Sequence, residues 1–185
     1  EKVDWIILSN GETNNFTGYK ESESKSQIRK YRILNGYAEI VLDNTPFYAE
    51  QGGQIGDIGS IKNDSFTFKV ENTTMDHDDI VHFGRIEKGE ISKTEKVTTI
   101  INSERRQKIR LNHTATHLLH QAMKNVLGDH VHQAGSLVAD NRIRFDFTHS
   151  EKLTQDQKIT IEQMVNVEIR KNTAVKTKLM DYESA

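Results

Sequence analysis

Glycine is spread unevenly along this chain: nine of its eleven glycines fall before residue 100. Glycine takes up φ > 0 without steric cost, so this spacing favours many short strands joined by tight turns. The residues between the glycines agree. Ile28 to Leu34, Tyr37 to Leu42, Phe66 to Val70 and Lys96 to Ile101 read as strands. Asn35-Gly36, Gly52-Gly53, Gly56 to Gly59, Asn63-Asp64 and Lys88-Gly89 carry turn or loop chemistry. Ser9 to Asn15 and Glu21 to Ser26 are polar and read as loops. Residues 1–103 are therefore expected to form a small antiparallel β-barrel or sandwich domain with a glycine-rich loop.

Beyond that point the period changes. Ser103, followed by Glu104, is a candidate N-cap for a helix running to Leu127 and stopped by Gly128, with a possible break near Leu111-Asn112. Ile143 to Phe147 alternates as a strand. Thr154 is a candidate N-cap for a helix over Gln155 to Lys171, with Ile159, Ile161, Val165 and Ile169 inward, and Ala174 to Met180 alternates as a last strand. Residues 104–185 thus read as an α+β domain with helices on one face of an antiparallel sheet, and the whole chain as α+β.

Composition enters by exclusion. There is no cysteine, so a disulfide scaffold is ruled out and a reducing, cytoplasmic setting fits. The formal net charge of -2 argues against binding nucleic acid by overall positive charge; such a partner has to meet a local patch. No apolar run is long enough for a membrane helix. The start, Glu1 to Trp5, has no signal-peptide pattern and reads as an internal cut.

Chemistry concentrates in Asn112 to His120. At about 100° per residue, His113, His117 and His120 fall in one wedge of a helix, opposite Ala115, Leu118, Leu119, Ala122, Met123 and Val126. Imidazoles at i and i+4 can both reach one small cation, hence the recurrence of H-x-x-x-H in zinc sites. The same spacing also arises on an ordinary solvated face. No Glu sits inside the motif, so the H-E-x-x-H protease pattern is absent. His120 reads as a surface histidine or a support for a ligand. Arg105, Arg106, Lys108 and Arg110 make the densest basic run, either a solvated face or a contact for phosphates.

Taken in order, the segments resemble a known family. His113 to Leu119 (HTATHLL), Gln133 to Val138 (QAGSLV) and Arg144 to Phe147 (RFDF) resemble the editing core of alanyl-tRNA synthetases. Leu42 to Gly59 (LDNTPFYAEQGGQIGDIG) and Phe16 to Tyr19 (FTGY) resemble the glycine-rich segment and the run before it in the same family. The match covers roughly residues 5–185 in order. Free-standing AlaX deacylases and the threonyl-tRNA synthetase editing domain are related.

The resemblance implies an N-terminal β-barrel leading into an α+β editing core, which hydrolyses Ser-tRNA(Ala) and Gly-tRNA(Ala). It implies zinc held by His113 and His117 together with a Cys and a His expected beyond residue 185, so weak or no zinc, and little activity, in these residues alone. The implied catalytic residues are Thr116, as sensor of the serine hydroxyl, and Gln133. Gly52 and Gly53 are expected to permit a tight loop that passes close to the site with Gln54 facing the pocket, and the position of Arg105 and Arg106 beside the histidines favours contact with substrate phosphates. The implied partners are the tRNA(Ala) acceptor end and the remaining, ATP-binding synthetase domains in cis. Two readings compete: a free-standing AlaX-type deacylase, and a tRNA-binding module without its own chemistry. A Gly-Gly-Gln loop also occurs in release factors, but Glu50 and Asp57 make these surroundings acidic.

Overall fold

The computed structural model describes residues 3–11, 15–91, 96–176 and 181. In chain order the elements are β1 (Ile6–Ile7), β2 (Asn15–Phe16), β3 (Glu23–Leu34), β4 (Tyr37–Leu42), β5 (Asn44–Thr45), β6 (Gly59–Lys62), β7 (Thr67–Asp76), β8 (Asp79–Lys88) and β9 (Lys96–Ile101). They are followed by α1 (Ser103–Leu127), β10 (Gln133–Val138), β11 (Ile143–Phe147) and α2 (Gln155–Lys171). Two compact units result: residues 1–113 with 135–144, and residues 114–134 with 145–185. The first turns of α1 are bonded into the first unit, as described below.

In the first unit, six strands close into an antiparallel barrel in the order β3-β4-β8-β7-β6-β9, and β1 adds to β3. One long strand closes it. The second half of β3 pairs with β4, its first half pairs with β9, and the register shifts between Ile28 and Lys30. Such a bulge bends a strand and sharpens its twist, which lets one strand serve both neighbours. Asn35 and Gly36, both at positive φ, join β3 to β4 in a two-residue turn with Leu34 opposite Tyr37. The interior is filled by Ile40, Leu42, Phe47, Ile61, Phe66, Phe68 and Val70. Burying each large apolar side chain contributes about 1.5–3 kcal/mol.

Glu21 to Ser26 are not all loop: Glu23 onward is strand. Its polarity is satisfied across the sheet, where Ser24 Oγ and Thr99 Oγ1 lie 2.8 Å apart and Ser26 Oγ donates to Asn44 Oδ1 at 3.2 Å. The strand expected at Phe66 starts at Thr67 and runs on to Asp76, and β6 and β8 were not foreseen. Ser9 to Gly11 form no regular element, residues 12–14 lie outside the described residues, and Asn15 begins β2.

In the second unit, Ala122 and Met123 of α1 and Ile161 of α2 pack with Val131, Phe145 and Phe147. Helix α2 has the expected start: Gln157 N–H donates to Thr154 Oγ1 at 3.2 Å and Thr154 N–H to Gln157 Oε1 at 2.9 Å, a reciprocal capping box. Its core-facing stripe is buried Ile161 with half-buried Met164 and Val165. Ile159 and Ile169, expected inward, are 43% and 51% exposed. Ile159 lies about 160° round the helix from Ile161, which turns it off that stripe. Ala174 to Lys176 form no strand, and residues 177–180 of the strand expected there lie outside the described residues. Among the described residues no helix is long and apolar enough to cross a membrane.

Helix α1 is continuous through Leu111 and Asn112. Its cap is Asn102 rather than Ser103: Arg105 N–H donates to Asn102 Oδ1 at 2.9 Å, and Arg106 N–H to Asn102 O at 3.0 Å. Gly128, at φ 114°, ends it as expected, its N–H donating to Lys124 O at 2.9 Å.

Candidate functional site

Gln51 to Gln54 form a tight turn. Gln54 N–H donates to Gln51 O at 3.0 Å and Gln51 N–H to Gln54 O at 3.2 Å, with Gly52 at φ 60° and Gly53 at φ 82° between them. Two successive positive φ values are what a two-residue turn of this hand requires, and two glycines supply them. The turn is clamped to β10: Val138 N–H donates to Gly53 O at 2.7 Å, and Ile55 N–H to Val138 O at 3.1 Å. A Cβ on Gly53 would lie 2.6 Å from Ser136 O, whereas one on Gly52 would meet nothing within 4 Å. Gly53→Ala should therefore open the clamp, while Gly52→Ala carries only backbone strain of roughly 1–2 kcal/mol. Hydrogen exchange at the Val138 amide checks this, with fast exchange expected in Gly53→Ala alone; equal rates in the two variants would discount the close approach.

The turn presents Gln54, which is 7% exposed. Its Oε1 lies 2.7 Å from His113 Nδ1. An amide oxygen has no hydrogen to give, so the ring N–H is the donor. Thus a glycine-loop residue and a helix histidine 59 positions apart share one hydrogen bond within the first unit. His113 is half-buried, and its helix is anchored beside it: Ile109 is fully buried and Asn112 Nδ2 donates to Ala139 O at 2.7 Å. Tyr48, in the same loop, has its phenol pKa pushed up, chiefly by burial; its hydroxyl donates to Gln51 O at 3.5 Å.

Thr116, His117 and Gln133 belong to the second unit. Thr116 is buried, His117, one turn after His113 on α1, is exposed, and Gln133 is exposed. Gln133 opens strand β10. His120 is half-buried, its ring 5.2 Å from that of Phe145 and its Nε2 3.4 Å from Val131 O. Imidazoles at i and i+4 suit zinc, and a ring whose Nδ1–H is already held by an acceptor is typical of a zinc ligand. Among the described residues no group of three or more His, Cys, Asp or Glu could hold a metal.

The basic run divides. Arg106 has a 12% exposed side chain and forms a two-pronged ion pair with Asp57, itself 2% exposed. Its Nε lies 2.9 Å from both Asp57 oxygens, Nη1 donates to Gly18 O at 3.0 Å and Nη2 to Pro46 O at 2.9 Å. Tyr48 N–H adds a third donor to Asp57, at 2.8 Å. Arg105 donates to Gly56 O at 2.8 Å and lies 3.5 Å from Asp140 Oδ1. Both guanidinium groups hold the barrel unit together. Asp57 is the residue that sequence reasoning missed; nothing in its neighbourhood announces a partner 49 positions away.

A family model described as tRNA synthetases class II (A) matches residues 7–105. Alanine–tRNA ligases of Legionella pneumophila, strains Corby, Philadelphia 1 and Lens, are each 44% identical over 179 residues, covering 92% of this chain and 21% of the relative. The chain spans about a fifth of the length of these relatives.

Proposed function

Because this chain belongs to the class II tRNA synthetases (A), as an alanyl-tRNA synthetase region, we propose that it contributes the editing site of such an enzyme. The reaction is hydrolysis of the ester that joins serine or glycine to the 3′ end of tRNA(Ala). An alanine pocket discriminates poorly against a smaller side chain or one added hydroxyl, so a second, hydrolytic site is needed for accuracy. The observation that carries this reading is the Gln54–His113 hydrogen bond, which joins the glycine-rich segment to the histidine motif.

His113 and His117 are the two zinc ligands this chain would supply; a Cys and a His outside these 185 residues, which contain no Cys, would complete the set. Zinc, when bound, offers a Lewis acid that can polarise an ester carbonyl or acidify water. The chain's own residues bind and discriminate. Thr116 would sense the serine hydroxyl, and Gln133 would orient the aminoacyl group. Lys108 and Arg110, both exposed on α1, replace Arg105 and Arg106 as the candidates for phosphate contact. The proposed partners are the tRNA acceptor end and the other domains of a cytoplasmic synthetase.

The test uses the whole synthetase carrying this segment. Thr116→Val and Gln133→Ala should leave alanylation within about twofold of normal while Ser-tRNA(Ala) persists, a loss of tenfold or more in clearance, as expected when a general positioning contact is removed. Normal clearance of Ser-tRNA by both variants would remove these residues from the site.

A further inference from the structure

We infer that Tyr19 is a stacking platform for an unpaired nucleobase of the tRNA 3′ end. The inference rests on the proposed reading only for the identity of that partner. It gives a role to the run Phe16-Thr17-Gly18-Tyr19, which the deacylase reading leaves without one.

Tyr19 is 86% exposed, whereas Tyr31, Tyr37 and Tyr48 are half-buried. The ring is nevertheless held in place. It sits on a turn in which Lys20 N–H donates to Thr17 O at 3.0 Å and Glu21 N–H to the same oxygen at 3.2 Å. Thr17 N–H donates to Thr45 O at 2.9 Å, which ties the turn to β5. Arg106 Nη1 donates to Gly18 O at 3.0 Å, while its Nη2 donates to Pro46 O at 2.9 Å. Gly18 has no room for a side chain, since a Cβ there would run into Pro46 O and the Phe16 ring. The Tyr19 ring meets that of Phe16 edge to face with centroids 5.0 Å apart, and Phe16 meets Tyr48 in the same manner at 6.0 Å. Such geometry fixes the orientation of a ring. Tyr19 is thus set in advance with most of its surface toward solvent, so a group that stacks on it has little left to order.

The surroundings select the partner. Lys20, Glu21, Ser22 and Glu23, which follow Tyr19, are all exposed and polar, so the ring is an isolated apolar plane and not the centre of a hydrophobic patch. A protein partner needs a contiguous surface built from several such groups, whereas a nucleobase needs one flat face. Lys20 and Glu21 carry opposite charges, which leaves the ring to supply the attraction. Position agrees with this. Tyr48, against which Phe16 packs, donates to Gln51 O at 3.5 Å, and Gln51 opens the turn that brings Gln54 to His113. Tyr19 therefore belongs to one connected set of contacts, within the first unit, that reaches the candidate site. A tRNA that delivers its 3′ ester there brings unpaired bases with it, and Tyr19 holds one of them.

The fluorescence of a labelled RNA provides the test. The probe is a hairpin RNA whose short unpaired 3′ tail carries aminopurine, an adenine analogue that is quenched when it stacks. The wild-type chain should quench it, and Tyr19→Ala should raise the Kd about 5–100-fold, the usual consequence of losing one base–aromatic stack. Tyr19→Phe keeps the ring and should bind within about twofold of wild type, while Tyr19→Leu, apolar but without a π face, should behave like Tyr19→Ala. The loss should be equal at low and high salt, since no phosphate contact is removed. All three variants should unfold in urea as wild type does, because the side chain replaced is exposed. Equal affinity of wild type and Tyr19→Ala would overturn the inference, as would full affinity in Tyr19→Leu, or the same loss with a hairpin that has no unpaired tail. So would unchanged RNA affinity beside a lowered Tm of the whole synthetase carrying Tyr19→Ala, a result that assigns the ring to a neighbouring domain. Failure of the editing reading would appear elsewhere, as normal Ser-tRNA(Ala) clearance by the Thr116 and Gln133 variants beside a quench that depends on Tyr19.

Discussion

Arg106→Ala should destabilise the barrel unit by about 3–5 kcal/mol, the usual consequence of removing one partner from a buried ion pair. The substitution strands Asp57, a carboxylate 2% exposed, with only the Tyr48 amide as its remaining named donor. It also takes donors from the carbonyls of Gly18 and Pro46. Three separate segments are released at once, because Gly18, Pro46 and Asp57 meet at this one guanidinium. Lys108, three-dimensionally a helix-surface group paired with Glu104 in solvent, is the control, and Lys108→Ala should be close to neutral. The single tryptophan, Trp5, lies in the same unit with Lys30 and Arg32 over its ring, so its fluorescence during urea unfolding reports this unit. Replacing Asp57 by Ala together with Arg106→Ala should cost less than the two single changes added, since no lone charge is left buried. An Arg106→Ala protein of normal stability and weakened tRNA binding would return Arg106 to the substrate.

This pair shows where reading from sequence stops. The barrel was legible because alternation and glycine turns are local, as at Asn35-Gly36 and in Val97-Thr98-Thr99-Ile100-Ile101. The α2 cap was legible for the same reason: Thr154 and Gln157 are three positions apart. The first half of β3 was not, because Ser24 and Ser26 meet their needs through Thr99 and Asn44, and periodicity detects apolar faces only. The histidine motif was legible as a spacing, yet what His120 and Gln133 do depended on Phe145 and on strand β10. Arg105 and Arg106 read as part of a charge run because their partners are remote in sequence; Asp57 and Asp140 arrive by folding. Gln54 was singled out for its tripeptide, but its bond to His113 is a product of tertiary structure.

The second large effect concerns acid. His82 is fully buried, and burial pulls its pKa down to about 4, only partly opposed by the backbone carbonyl of Ile40. The ring is neutral and satisfied on both sides: Nδ1–H donates to Ile40 O at 2.9 Å, and Thr45 Oγ1–H donates to Nε2 at 2.8 Å. An unfolded histidine titrates near 6.5, so between pH 6.5 and 4 the unfolded chain binds a proton that the folded chain does not. Its contribution is fully present above pH 6.5 and is lost as pH falls toward 4. A gap of about 2.5 pH units corresponds to roughly 3 kcal/mol, at a limiting slope of about 1.4 kcal/mol per unit. His82→Gln cannot titrate, so its unfolding free energy should fall less steeply over that window, whatever its stability at neutral pH. The comparison of slopes cancels the acidic groups and exposed histidines common to both proteins. In wild type the His82 ring signals should stay those of neutral imidazole down to about pH 5. A ring that titrates near 6.5, or equal slopes in the two proteins, would mean that Thr45 and Ile40 do not hold His82 neutral in the barrel.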